Sequence, residues 1–96
     1  MAGFVQIIEF RTSKMEEMQK LGDEWEVAAS MSKVQRRVLC ADRDDSGRYF
    51  NIVFFASHEE AMENSNLPVT QEFSEKMGAL ADGPPTFYNL DVLQDV

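Results

Sequence analysis

An α+β fold, with one four-stranded antiparallel sheet covered by helices on a single face, is what this sequence predicts. Three observations predict it. Residues 49–56, Tyr-Phe-Asn-Ile-Val-Phe-Phe-Ala, are the most apolar and most β-prone run in the chain. Strand alternation puts Phe50, Ile52, Phe54 and Ala56 on one side of that run and Tyr49, Asn51, Val53 and Phe55 on the other. Neither side is polar, so both need cover. Around this run, strand and helix signals alternate in the order strand, helix, strand, strand, helix, strand, and the two helical stretches supply cover for one face only.

Phe4 to Arg11 is the first strand, apolar on both sides over its first half, which suits a central place in the sheet. Ser13 and Glu16 have the spacing of a capping box, in which hydroxyl and carboxylate satisfy orphan amides at a helix start. The helix is expected to run to about Ala29, with Met15, Met18, Leu21, Trp25 and Ala28 in one apolar stripe. Gly22 interrupts that helix at a cost of about 1 kcal/mol relative to alanine and signals close packing.

Lys33 to Asp42 is the second strand. Its charged first half and apolar second half fit an edge position, with Arg36 and Arg37 on opposite faces. Residues 43–48, Arg-Asp-Asp-Ser-Gly-Arg, form a polar turn in which Gly47 is free to take a positive φ. The long apolar strand follows. Ser57 and Glu60 make a second capping box, opening a short helix with Ala61 and Met62 expected inward. Asn64-Ser65-Asn66 and Pro68 break it, because proline disfavours helical geometry in the residue before it. Helix resumes near Val69, with Val69, Phe73, Met77 and Leu80 on one face, and Asp82-Gly83-Pro84-Pro85 ends it. Thr86 to Leu93 is the last strand.

The simplest assembly of these elements is the ferredoxin-like βαββαβ plan, with the first and third strands at the centre. Its uncovered face would expose branched and aromatic residues, and a patch of that size is a contact surface. A second copy of the same sheet, related by a twofold axis, is the expected partner.

Composition narrows the functional classes. The 96 residues show no break in composition and are expected to form one domain, 1–96. Seventeen acidic against nine basic residues give a net charge of −8. That disfavours nucleic acid and anionic membranes, both of which need a positive footprint. No apolar run reaches the length of a membrane span. The opening Met-Ala-Gly-Phe-Val-Gln lacks the pattern of a secretory signal. The single cysteine, Cys40, cannot make an internal disulfide and reads as a small apolar filler. Together these point to the cytoplasm.

The order of elements, the broken second helix at Asn64-Ser65-Asn66-Leu67-Pro68 and the terminal Gly83-Pro84-Pro85-Thr86-Phe87-Tyr88-Asn89-Leu90-Asp91-Val92-Leu93 resemble the dimeric α+β barrel superfamily. The likeness is to its antibiotic-biosynthesis-monooxygenase-like domains, and it covers almost the whole chain. It implies two sheets facing each other as a barrel, with a cleft in each subunit between sheet and helices. It also implies a family in which cofactor-independent monooxygenases stand beside haem-degrading enzymes and domains of other roles. Family monooxygenases place a tryptophan near the end of the third strand and an asparagine four residues before it. Asn51 matches the asparagine, and Phe55 stands where the tryptophan would be, so the indole N–H donor is lost. Haem-degrading members use a histidine within the second helix. His58, the one histidine here, falls at that helix's start, so no haem and no other cofactor is expected.

Asn51 is the foremost candidate: an amide in an apolar strand can polarise a substrate carbonyl or phenolate, or can bond a neighbouring backbone group. Tyr49 and Tyr88 offer phenolic donors, although strand tyrosines often pack their rings and send the hydroxyl to water. His58 is a side chain able to move protons, or a solvated first-turn residue. There is no Gly-rich phosphate loop, no His/Cys metal spacing and no Ser-His-Asp order. Two functions from different classes follow. One is a cofactor-independent oxygenase-like enzyme acting on an aromatic or polyketide-like molecule. The other is a non-catalytic module that binds a hydrophobic small molecule or serves assembly alone.

Overall fold

The computed structural model describes residues 3–28 and 33–95, apart from the side chains of residues 25–28. The expected core role of Trp25 and Ala28, and the helix's expected last residue Ala29, lie outside the described residues. Four strands, β1 (Phe4–Arg11), β2 (Arg36–Ala41), β3 (Arg48–Phe55) and β4 (Thr86–Asp91), form one antiparallel sheet in the order β2-β3-β1-β4. Three helices, α1 (Met15–Ala28), α2 (His58–Ser65) and α3 (Pro68–Leu80), complete the ferredoxin-like α+β architecture, the second predicted helix being α2 and α3 in succession. The two apolar strands pair at the centre, and the charged second strand lies at the edge.

Register fixes the faces. Phe4 pairs with Phe55, Gln6 with Val53, Ile8 with Asn51 and Phe10 with Tyr49 across β1 and β3. Opposed residues share a face, and this is the face toward the helices: Phe4, Phe10, Val53 and Phe55 are buried on it. The core is divided along β1. Phe4, Val53, Phe55 and Ala61 cluster beneath α2, with Val34 against them. Phe10 and Met18 are buried six residues further along, roughly 20 Å at strand rise. The space between these two clusters becomes the cleft.

Local chemistry explains the joints. Gly47 has φ 88°, the left-handed geometry expected of the β2–β3 turn. Within that turn Asp42 Oδ1 accepts from the amide of Asp44 at 2.9 Å. Ser57 caps α2 as expected, its hydroxyl accepting from the Glu60 amide at 3.2 Å. Leu67 is extended and Pro68 occupies the first turn of α3, so the proline needs no amide proton there.

Two local expectations are corrected. α1 begins at Met15, and Ser13 is exposed. The hydroxyl at this corner is Thr12, which accepts from the Lys14 amide at 3.0 Å and donates to the Leu80 carbonyl at 2.7 Å. One side chain thereby ties the start of α1 to the end of α3. On α2 the inward pair is Ala61 and Asn64, while Met62 is 38 % exposed. A three-residue step keeps Asn64 on the buried side of the helix, and a one-residue step turns Met62 away.

The opposite face carries Val5, Ile7, Ile52, Phe54, Tyr88 and Leu90, and no residue on it is fully buried. Leu90 is 46 % exposed. No helix of the described residues is long and apolar enough to cross a membrane.

Candidate functional site

α3 leans on α1 and α2, and none of its residues is fully buried. Beneath it, against the helix-facing side of the sheet, lies a cleft of two lobes with cavity volumes of about 450 and 140 Å³. Ile8, Asn51, Phe73, Ser74 and Phe87 line both lobes, so Asn51 stands at the waist between them. The smaller lobe is apolar, walled by Phe10, Met18, Met77 and Pro85. The larger one has Gln6, Arg37, Asn64 and Thr70 among apolar neighbours.

The strand places Asn51 there. It shares parity with Val53 and Phe55, so β3 turns it toward the helices. Its strand neighbours are Ile8 on β1 and Leu39 on β2, neither of which has a polar side chain to offer it. Asn51 is 5 % exposed. Its Oδ1 is buried without a hydrogen-bond partner, and so are Asn64 Oδ1 and Thr70 Oγ1. Native cores leave few such atoms unpaired, since each costs roughly 1–3 kcal/mol. Here three of them border one lobe, from β3, α2 and α3. Rotating either carboxamide exchanges acceptor for donor, so each can serve both kinds of partner.

Arg37 adds the charge. It is paired with Val53 on β3 and therefore faces the helices, one diagonal step from Asn51. It is half-buried and lines the larger lobe. Its guanidinium lies over α1 at Gly22, where a Cβ would stand 3.1 Å from Nη2. The close packing signalled by Gly22 is thus with an arginine of the sheet. Arg36, on the other face, is exposed and lies 5.6 Å from the Phe54 ring centroid.

The other sequence candidates are not gathered here. Tyr49 faces the helices, but its ring stacks on Phe10 at 5.8 Å and it lines neither lobe. His58 opens α2, exposed, edge-on to Phe4 at 5.1 Å, also outside both lobes. Tyr88 pairs with Ile7 and so lies on the uncovered face. There its hydroxyl donates to Glu9 Oε1 at 2.9 Å. Arg48 donates to Glu9 Oε2 at 3.0 Å and to Asp42 Oδ2 at 3.1 Å, with its guanidinium 4.9 Å from the Phe50 centroid. The Arg48 hydrogen bond, then that of Tyr88, holds the Glu9 carboxyl below its ordinary range, and Glu9 in turn raises the Tyr88 phenol.

Arg37, Asn64 and Thr70 line the larger lobe and are not among the candidates that the sequence offers. Arg37 belongs to the charged half of an edge strand, and Asn64 to the stretch expected to break the helix. The available signal was the pair of Gly22 and Arg37, a small residue opposite a long one. No group of three or more metal-ligating side chains occurs among the described residues.

No family model matches the sequence, and no curated protein matches it. Comparison of folds is more informative. SnoaB from Streptomyces nogalater, a cofactor-independent oxygenase, superposes with a TM-score of 0.83 at 14 % identity, over 100 % of this chain and 98 % of its own. Rv0793 from Mycobacterium tuberculosis gives 0.79 at 15 % identity over 98 % of both chains. An antibiotic biosynthesis monooxygenase gives 0.76 at 13 % identity, over 95 % of this chain and 99 % of its own. At these identities the likeness is one of fold, and the chain shares its fold with these proteins over nearly its whole length.

Proposed function

We propose that this chain is a cofactor-independent, monooxygenase-like enzyme that takes an aromatic or polyketide-like molecule into the cleft beneath α3. The observation that carries the proposal is Asn51: a buried carboxamide with an unpartnered oxygen, at the waist of a cleft large enough for a multi-ring ligand. In such chemistry the substrate, as its enolate or phenolate, itself reduces dioxygen. A ring methylene becomes a carbonyl, one oxygen atom ends in the product and the other in water, so no outside reductant is needed. The protein's share is a water-poor pocket and a few oriented dipoles. Asn51 would donate through Nδ2 to the substrate oxyanion, and the apolar lobe would hold the far ring. The fold shared with SnoaB supports the reading.

The enzyme is further proposed to work in the cytoplasm as a homodimer, joined through the uncovered faces of two sheets. The apolar composition of that face supports the dimer, since Val5, Ile7, Ile52, Phe54 and Leu90 gather on it.

A second reading has its own observation. Tyr49, Tyr88 and His58 stand outside the cleft walls, and Phe55 lines the larger lobe where family monooxygenases carry tryptophan. A cleft with so few proton-transfer groups fits a binding module without turnover. Oxygen uptake with a panel of hydroxylated polycyclic aromatics separates the two. Uptake that falls sharply in Asn51→Ala supports the enzyme; binding across the panel without uptake leaves the module.

A further inference from the structure

We propose that Asn64 and Thr70, on either side of the α2–α3 joint, form a subsite that reads a neutral hydroxyl on the ligand. Asn64 accepts the hydroxyl's proton, and Thr70 donates to its oxygen. The inference rests on the cleft being a ligand site, as above, and is independent of whether oxygen chemistry follows.

α2 ends at Ser65 and α3 begins at Pro68, so Asn64 comes from the last turn of one helix and Thr70 from the first turn of the next. Both line the larger lobe. Asn64 is 5 % exposed, and its Oδ1 is buried without a partner. Thr70 Oγ1 is buried and unpartnered as well, so the two do not bond each other and each awaits a third group. Between them Ser65 shows the usual resolution: its hydroxyl donates to the Ala61 carbonyl of its own helix at 3.0 Å. The joint itself is closed by backbone. The Leu67 amide donates to the Asn64 carbonyl at 3.2 Å, and the Thr70 amide donates to the Leu67 carbonyl at 3.0 Å. The side chains of Asn64 and Thr70 take no part in it.

Their chemistry selects the ligand group. A carboxamide oxygen only accepts, while a threonine hydroxyl has one proton to give. A ligand hydroxyl satisfies both at once, donating to Asn64 Oδ1 and accepting from Thr70 Oγ1. An ether oxygen can accept from Thr70 but has no proton for Asn64. Turning the amide over does not rescue the ether. It brings two N–H protons to the same place, and an oxygen already accepting from Thr70 can pair at most one of them. A buried polar atom left unpaired carries its full desolvation cost, so the hydroxyl is preferred. Water can make the same pair of bonds, and a group that displaces it without reproducing them loses affinity.

The test compares 2,6-dihydroxynaphthalene with 6-methoxy-2-naphthol by titration calorimetry on the full chain, near pH 7, where phenols keep their proton. One hydroxyl is common to both probes and can pair with Asn51, so the comparison reads the second substituent. The wild type should prefer the diol by about tenfold or more. In Asn64→Leu that preference should shrink to about twofold or less, whereas a preference due to the bulk of the methyl group would remain. Thr70→Val keeps shape and should weaken both probes by roughly threefold or more, because both oxygens accept from Thr70. That second variant keeps the proposal testable should Asn64→Leu fail to fold. Equal affinities in the wild type, no binding of either probe, a preference that survives in folded Asn64→Leu, or unchanged affinities in Thr70→Val would each overturn it. Diol binding with the expected variant effects, but no oxygen uptake on any aromatic, would remove the oxygenase reading and leave this one standing. Oxygen uptake that depends on Asn51, with no preference between the two probes, would do the reverse.

Discussion

Gly22 of α1 faces the guanidinium of Arg37 on β2 so closely that a Cβ at position 22 would stand 3.1 Å from Nη2 and 3.3 Å from Nη1. The contact is with the far end of a flexible side chain, not with backbone. A methyl group there would displace the guanidinium by a few tenths of an ångström.

Gly22→Ala therefore has a consequence for stability that a thermal melt reads. Alanine favours helix by roughly 1 kcal/mol over glycine, and the arginine tip can move, so the thermal melt should rise or stay level. A variant of lower stability would show that Arg37 is held rigidly in place.

Why the sheet could be read from the sequence and the cleft could not is visible in the same pair. Strand parity is a local property, so the faces of Tyr49 to Phe55 and the edge position of β2 follow from alternation alone. A cleft depends on which elements stand apart. α3 shows a good apolar stripe, Val69, Phe73, Met77 and Leu80, yet each of these is only half-buried, and Phe73 and Met77 border the cleft instead of filling it. Asn64 belongs to a stretch whose chemistry favours a turn, and only the approach of α2 to β3 turns it inward. The face of Tyr88 is not legible for another reason: it depends on the register between β4 and β1, and one strand read alone does not fix it.

Asn51→Leu distinguishes a site residue from a structural one. Leucine removes an unpartnered buried carboxamide from an apolar wall, so stability should hold or rise. Ligand affinity and any oxygen uptake should fall. A loss of roughly 1–3 kcal/mol in a thermal or denaturant melt, with affinity unchanged, would mean that the amide serves the fold instead.

Haem should not bind stoichiometrically. His58 stands at the first position of α2, exposed and edge-on to Phe4, where an iron ligated by it would lie outside both lobes. A haem titration followed at the Soret band should show no saturation at one equivalent. Saturation that vanishes in His58→Ala would place the ligand site at the wrong end of the sheet.

The Glu9–Tyr88 bond predicts a pH response of definite sign. Glu9 has its pKa lowered, so what it contributes to stability is present above the ordinary carboxylate range and fades as pH falls through the depressed value. Tyr88 has its pKa raised, so its contribution is present below the ordinary phenol value and is lost as pH rises through the higher one. Ultraviolet titration of a Tyr49→Phe variant leaves Tyr88 as the remaining tyrosine of the two. Its midpoint should lie above about 10, the ordinary phenol value. Adding Glu9→Gln should bring it back down. An unmoved midpoint would mean that the bond does not persist in solution.

The last prediction concerns the uncovered face. Ile52 lies at its centre, opposed by Ile7 on β1 and Val38 on β2, with Phe54 and Phe50 two residues to either side along the strand. A face of this composition left in water would forgo the burial of several large apolar side chains, at about 25 cal/mol per Å². Sedimentation velocity at micromolar concentration should therefore give twice the chain mass. Ile52→Lys should convert the dimer to a folded monomer. The lysine points to solvent in the single subunit, but in the dimer it would be an unpaired charge at the centre of the contact, costing several kcal/mol. A helical circular dichroism spectrum like that of the wild type, together with the halved mass, would confirm that the substitution acts on association and not on folding. A wild type that sediments as a stable monomer would refute the dimer and require some other cover for Val5, Ile7, Phe54 and Leu90.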